Sequence, residues 1–422
     1  MFEHQSLNYI FMKKNPNGLP LKIKYCTECN LSNQQPTSIN EYFHIHNTEQ
    51  TTVTFDENGI CAACNFNKKK WDHTINWEER EKELIELCNK HRKSNGEYDC
   101  IVGGSGGKDS VFQSHVLKYK YNMNPLTVTW SPHLYTDIGW KNFQNWLHVG
   151  GFDNFLFTPN GKVHRRLTRE ATIRLLHPFQ PFIIGQKTFV VKMAHKMNIP
   201  LIFYGEMPGE YGKNISHKIS KFGTSDGDKS QKGFELDPLK GKKFEDCFIG
   251  GKQVKEYLEE GIKLSDLQSY KPLDYELIEK KNIEFYFLGY FLRWIPQENY
   301  YYAVKHTDFS PNTERTEGTY QKYTSMDDKI DGFFYYTRFI KFGVGRAMID
   351  SAQEIRNGHI SKEEGISLIE KFDGEYPKKY EDIFYEYISM QKNEFLELVD
   401  EFRPDHIWGK KSNRWVFKQK IV

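Results

Sequence analysis

Residues 98–110 read YDCIVGGSGGKDS. The apolar run Cys100-Ile101-Val102 ends in four glycines within five residues, and a helical pattern begins at Val111-Phe112. Glycines let backbone N–H groups crowd one point without Cβ clashes. Such a turn, set at a helix N-terminus, forms a socket for a phosphate group. Lys108 adds a point charge, and Asp109 is a carboxylate suited to Mg²⁺. A plain surface turn is the competing reading, but the flanking strand and helix are what a phosphate socket requires. A Walker A loop is excluded, because its pattern needs glycine where this chain has Val102 and Ser or Thr where it has Asp109.

The segment SGGKDS, Ser105 to Ser110, resembles the SGGxDS loop of the ATP pyrophosphatase (PP-loop) superfamily. That resemblance implies a reaction type. The loop grips the β,γ-phosphates of ATP, a substrate oxygen attacks the α-phosphate, AMP passes to the substrate and pyrophosphate leaves.

The chain has 422 residues, enough for two or three domains with a sizeable core. Aromatic residues are abundant: 31 Phe, 25 Tyr and 8 Trp. Lys and Arg total 58 against 56 Asp and Glu, a net of +2, which gives no electrostatic case for a nucleic-acid partner. No apolar run is long enough to span a membrane, and the N-terminus lacks a signal-peptide pattern. The expectation is a cytosolic protein in a reducing compartment, where seven cysteines do not form structural disulfides.

Four of those cysteines form two CxxC pairs, Cys26/Cys29 and Cys61/Cys64. Two such pairs in a reducing compartment predict a tetrahedral Cys₄ zinc site. Four thiolates leave no open position for water, so the metal is read as structural. The stretch between the pairs exceeds the usual ribbon spacing and predicts a loop insertion. Cys88, Cys100 and Cys247 sit singly in apolar surroundings and read as inert buried thiols.

The order of elements predicts an α/β fold. A helical stretch over 71–93 leads into the loop, and a helix over 111–120 follows it. Strands over 126–130, 155–158 and 199–204 alternate with helices over 142–149, 162–176 and 185–198. That alternation means a parallel sheet covered on both faces, with ligands at the carboxyl ends of the strands. Gly103, Trp130 and Gly205-Glu206 lie at such ends. Residues 213–245 are rich in Gly, Lys and Ser and read as a mobile loop, a lid over the nucleotide or a solvated insertion. Helix-like 251–261 and 264–270 precede an aromatic strand over 284–294 that joins the same sheet. Helices over 327–341, 343–357, 361–371 and 378–402 complete the chain, with Ser361 and Glu364 forming a capping-box signature. The expected organisation is a knuckle-bearing segment over 1–72, a nucleotide domain over 73–310 and a helical region over 311–422.

Several segments in order, YCTECN, CAACNFNKKK, GGSGGKDS, TPNGKVHRRLTR, PFIIGQK, IPLIFYGE, GEYG and IKFGVGRAMIDSAQEIRNGHISKEE, resemble the N-acetyl sugar amidotransferases of lipopolysaccharide, pseudaminic acid and other nonulosonic acid biosynthesis. The resemblance covers roughly 22–380. Met207 stands where many such relatives carry Asn. The implied chemistry converts a sugar N-acetyl group into an acetamidino group. The amide oxygen is adenylated, ammonia adds to the imidate carbon and AMP departs.

The resemblance implies the following roles. Gly104, Ser105, Gly106, Gly107 and Ser110 hold ATP together with Lys108, and Trp130 and Gly205 border the nucleotide at strand ends. Asp109 binds Mg²⁺, assisted by Glu206; Lys108, Asp109 and Glu206 form the catalytic set. Lys341 and Arg346 would clamp a sugar phosphate or carboxylate, unless they form part of a solvated face. Gln186, Lys187 and Tyr211 are further substrate-binding candidates. The chain lacks a glutaminase nucleophile, so ammonia is expected from a separate glutaminase and a channel-forming partner. Two rival readings stand beside this one: a tRNA-thiolating PP-loop enzyme, and a non-catalytic subunit that senses nucleotide.

Overall fold

The computed structural model describes residues 18–37, 39–212, 236–412, 414–418 and 421. Two strands, β1 (Cys100–Gly103) and β2 (Pro125–Trp130), are buried along their whole length. Their side chains are apolar or small, as strands covered on both faces require. With β3 (Asn154–Phe157), β4 (Leu201–Tyr204) and β5 (Glu284–Phe287) they form one sheet in the order β3-β2-β1-β4-β5. Every pairing is parallel. The order reverses between β1 and β4, so their carboxyl ends open a crevice at the switch point.

The first helices are α1 (Ala62–Trp71), α2 (Trp77–His91) and α3 (Lys108–Tyr119), followed by α4 (Asp137–His148), α5 (Gly161–Leu175) and α6 (Gln180–Met197). Several boundaries differ from the sequence reading. The helix expected over 71–93 is broken, because His73 takes a positive φ of 67° and Asn76 caps a new helix through the Glu79 N–H. The helix after the glycine loop begins at Lys108, three residues before Val111, so Lys108 and Asp109 belong to its first turn. The aromatic strand expected over 284–294 ends at Phe287, where a short helix, Leu288–Phe291, takes over. An unanticipated helix, α7 (Pro296–Thr307), packs along α3. Of the stretch read as a lid, residues 213–235 lie outside the described residues; Leu236 and Phe244 beyond them are buried.

The C-terminal region carries α8 (Asp331–Phe342), α9 (Arg346–Arg356), α10 (Lys362–Phe372), α11 (Glu381–Ile388) and α12 (Lys392–Glu401). The single helix expected over 378–402 is two. Ser389 adopts φ 50°, and Gln391 with Glu394 opens the second. The Ser361/Glu364 capping box is formed. A hairpin of β6 (Trp408–Lys411) and β7 (Arg414–Phe417) closes the region. Its Trp408 Nε1 donates to the Ile340 carbonyl at 2.7 Å, and Phe417 stacks on Phe339.

The aromatic residues fill shared cores. Phe333 lies stacked on Phe384, with ring centroids 3.8 Å apart, in a cluster that also takes Ile23, Leu176 and Phe179. Another cluster joins Leu19, Val53 and the cysteines to Phe342, Met348 and Ile349. Residues from the ranges 1–72, 73–310 and 311–422 thus bury apolar surface against one another.

Candidate functional site

The glycine loop sits at the carboxyl end of β1. Gly106 has φ +84°, and a Cβ there would lie 2.7 Å from Phe143 Cα. A Cβ on Gly104 would strike the Ser110 side chain. Ser110 Oγ accepts the Ser105 N–H at 3.0 Å and closes the loop into a ring. Gly107 caps α3 but has no side chain to accept the first-turn N–H groups. That leaves the helix start suited to an external anion.

Ser105, Gly106, Gly107, Lys108 and Asp109 line a cleft of about 360 Å³. Glu206, at the end of β4, lines it from the other side of the switch point, and Gln186 of α6 contributes as well. The remaining wall comes from far along the chain and includes Asp327, Asp328, Asp331, Tyr335 and Arg346. Lys108 is paired with Asp109, whose other oxygen accepts Asn299 Nδ2 at 3.0 Å. Asn299 is buried on α7 and fixes the carboxylate from behind. Asp327 bonds the Ser105 side chain.

Carboxylates dominate the cleft. Glu206 is reached by solvent but set deep, and burial with the nearby Asp109 carboxylate raises its pKa. Burial and the adjacent Asp327 push Asp331 up to about 7. Burial and Asp328 also raise Asp327. Tyr211, hydrogen-bonded to Glu206, is held protonated by burial and by that carboxylate. Burial opposes the charge of Arg346, but Asp350, Tyr335 and Asp331 outweigh it. Its Nε bonds Asp350 at 2.9 Å, and it also donates to the Tyr335 hydroxyl. Asp109 and Glu206, both lining the cleft beside the anion socket, are hard oxygen donors of the kind a divalent cation takes.

Other predicted residues lie elsewhere. Trp130 does not line the cleft. It is buried against Gly185, where a Cβ would lie 2.2 Å from its ring. Gly205 packs on the Trp294 ring. Lys341 is buried and donates to the Leu175 carbonyl at 2.7 Å, with its pKa lowered by burial to about 7. It therefore stands apart from Arg346. Lys187 is lowered by burial and opposed by Glu41, and is not among the cleft residues. Sequence reasoning missed Asn299, Tyr335, Phe179 and Phe182 in or behind this site. The aromatic pair flanking Pro181 at the start of α6 was the one available signal.

The four cysteines meet in a buried cluster, with all sulfurs within 4.8 Å of one another. Cys26 and Cys64 are 3.8 Å apart, and Cys29 and Cys61 3.6 Å. A tetrahedron with metal–sulfur bonds of about 2.3 Å has edges of about 3.8 Å. Hydrogen bonds from the other three hold the Cys26 thiol below its ordinary pKa, while bonding to Cys26 raises Cys64. Four sulfurs at this spacing can exchange their protons for one metal ion. The Cys61 N–H donates to Cys26 Sγ at 3.2 Å, and the Cys64 N–H to Cys61 Sγ at 3.4 Å.

Residues 317–422 match the family model described as the C-terminal domain of WbpG-like LPS biosynthesis proteins. An uncharacterized protein of Methanocaldococcus jannaschii, MJ1599, is 37% identical over 76 residues, 18% of this chain and 26% of its own length. The chain therefore spans about a quarter of that relative. No helix among the described residues is long and apolar enough to cross a membrane. This chain thus joins a parallel α/β sheet and a buried Cys₄ cluster to a region similar to LPS biosynthesis proteins.

Proposed function

We propose that this protein acts in LPS sugar biosynthesis as an ATP-dependent amidotransferase of the PP-loop type, converting a sugar N-acetyl group into an acetamidino group. One observation carries the reading. The glycine loop and residues of the LPS-like region, Asp331, Tyr335 and Arg346, line the same cleft. A nucleotide on the loop would meet its acceptor there.

The chemistry follows from what an amide lacks. Its carbonyl is a weak electrophile and its oxygen a poor leaving group. The amide oxygen attacks the α-phosphorus, the bond from that phosphorus to the bridging oxygen breaks, and pyrophosphate departs. Ammonia then adds to the imidate carbon, loses a proton, and AMP leaves with the original oxygen. Lys108 and the N–H groups at the start of α3 stabilise the departing charge. Asp109 and Glu206 would hold Mg²⁺, which supplies charge neutralisation at the phosphates when bound. Arg346 would orient an anionic part of the sugar, with Tyr335 beside it. Zinc is our assignment for the Cys₄ cluster. A separate glutaminase and its channel-forming partner would supply the ammonia.

The test is direct. Incubation with ATP, Mg²⁺, ammonium and N-acetylated UDP-sugars or nonulosonic acids should yield AMP, pyrophosphate and a sugar lighter by the difference between O and NH. Formation of ADP would contradict the reading.

A further inference from the structure

Two features of the molecule meet in a short turn. Met207–Tyr211 follows Glu206 and ends in Tyr211, whose hydroxyl bonds the Glu206 carboxylate and Gln353 of α9. Glu210 in that turn is buried, and two cations hold it. Lys70 Nζ, fully buried, donates to Glu210 Oε1 at 3.0 Å and to the Trp294 carbonyl at 2.8 Å. Arg356 Nη2 donates to the Glu210 carbonyl at 2.9 Å.

Both cations are anchored at the cysteine cluster. Lys70 lies on α1, the helix that Cys61 caps. Arg356 Nη1 reaches Cys29 Sγ at 3.5 Å, so one guanidinium bridges a metal-ligand sulfur and the turn. Asn67 of α1 donates to the Arg356 carbonyl at 2.6 Å. Gly212, with φ +66°, seats the end of the turn on Val53 and Ala63. Helix α9 runs from the cleft at Arg346 to the cluster at Arg356, about 15 Å at the rise of an α-helix.

We propose that the Cys₄ centre, through Arg356 and Lys70 as positioning residues, sets the turn that carries Tyr211, the hydrogen-bond partner of the cleft residue Glu206. Glu210 is thus fixed twice, its carboxylate by Lys70 and its backbone carbonyl by Arg356, and losing either bond leaves a buried polar group unpaired. A metal ion fixes Cys29, and Cys29 fixes one arm of Arg356. The link itself does not depend on the reaction proposed above; its consequence for ATP rests on that reading.

The experiment uses the full chain loaded with its metal. Arg356→Lys keeps a positive charge beside Cys29 but offers a point donor where a fork spanned two acceptors. The variant should retain the wild-type metal content. In the cobalt-loaded form its thiolate-to-metal absorption band should shift, because Cys29 loses a donor. Amide exchange over Met207–Gly212 should become about tenfold faster, as expected for loss of one charge-assisted hydrogen bond, while β1 and β2 stay protected. Chelation of the wild-type metal under native conditions provides a second arm that needs no variant, and should loosen the same turn before the sheet. Unchanged protection of Met207–Gly212 in the metal-loaded variant, or in the stripped wild type, would overturn the proposal. Adding Mg–ATP separates the two claims. If the turn loosens but wild-type protein binds no nucleotide, the function fails and the link stands.

Discussion

Lys108 and Asp109 hold each other, and Asn299 holds Asp109 from behind. Lys108→Ala should cost about 10²–10³-fold in kcat, the range for removing one preorganised charge donor, with no change of fold. Steady-state kinetics and circular dichroism check it. Asn299→Ala removes an outer partner of a metal carboxylate and should weaken Mg²⁺ activation about 10–100-fold, read from a Mg²⁺ titration. Asp331 gives a pH prediction. Its folded pKa, about 7, lies above that of an ordinary aspartate, so burying the carboxylate costs nothing below the ordinary value and a penalty that grows as pH rises to about 7. Asp331→Asn should therefore raise Tm relative to wild type at pH above about 7.5 and lose that advantage toward pH 4. An advantage that does not change with pH would contradict the assignment.

At the scale of elements, loop geometry carries the argument. Gly106→Ala must place a Cβ at φ +84° against the Phe143 backbone. It should weaken nucleotide binding more than it lowers Tm, since the loop displaces before the sheet does. Calorimetric titration with ATP checks this. Ser361→Ala is the contrasting case. It should cost about 1 kcal/mol of stability through the lost cap and leave turnover unchanged. The loop was legible in the sequence because glycine chemistry is local. The strands β1, β2 and β4 were legible because buried parallel strands read as apolar runs. The separation of Lys341 from Arg346, read as a clamp from the sequence, was not legible, because Gly343 at φ +62° ends α8 and turns the chain, sending Lys341 to Leu175 and Arg346 into the cleft. Asn299 was invisible for another reason: it lies in an ordinary polar stretch and becomes meaningful only when α7 packs on α3. The hairpin at 408–417 has short strands rich in lysine and arginine, with no alternation to mark it.

Across the whole molecule, the site is assembled from three parts of the chain. The sheet supplies the socket, the C-terminal helices supply the facing wall, and the cysteine knuckle shares a core with those helices. Charge composition concealed this. A net of +2 gives no sign that acidic side chains from β4 and from 327–331 converge on one cleft. The shared core makes metal loss a global event as well as a local one. Cys61→Ser should abolish stoichiometric zinc, measured by elemental analysis, and lower Tm with it. The central claim is that the loop activates an amide oxygen for displacement by ammonia, and isotope tracing addresses it most directly. An N-acetyl sugar carrying a heavy-oxygen label in its carbonyl should transfer that label to the phosphate of AMP during turnover with ATP and ammonium. Unlabelled AMP, or label in orthophosphate, would contradict the account.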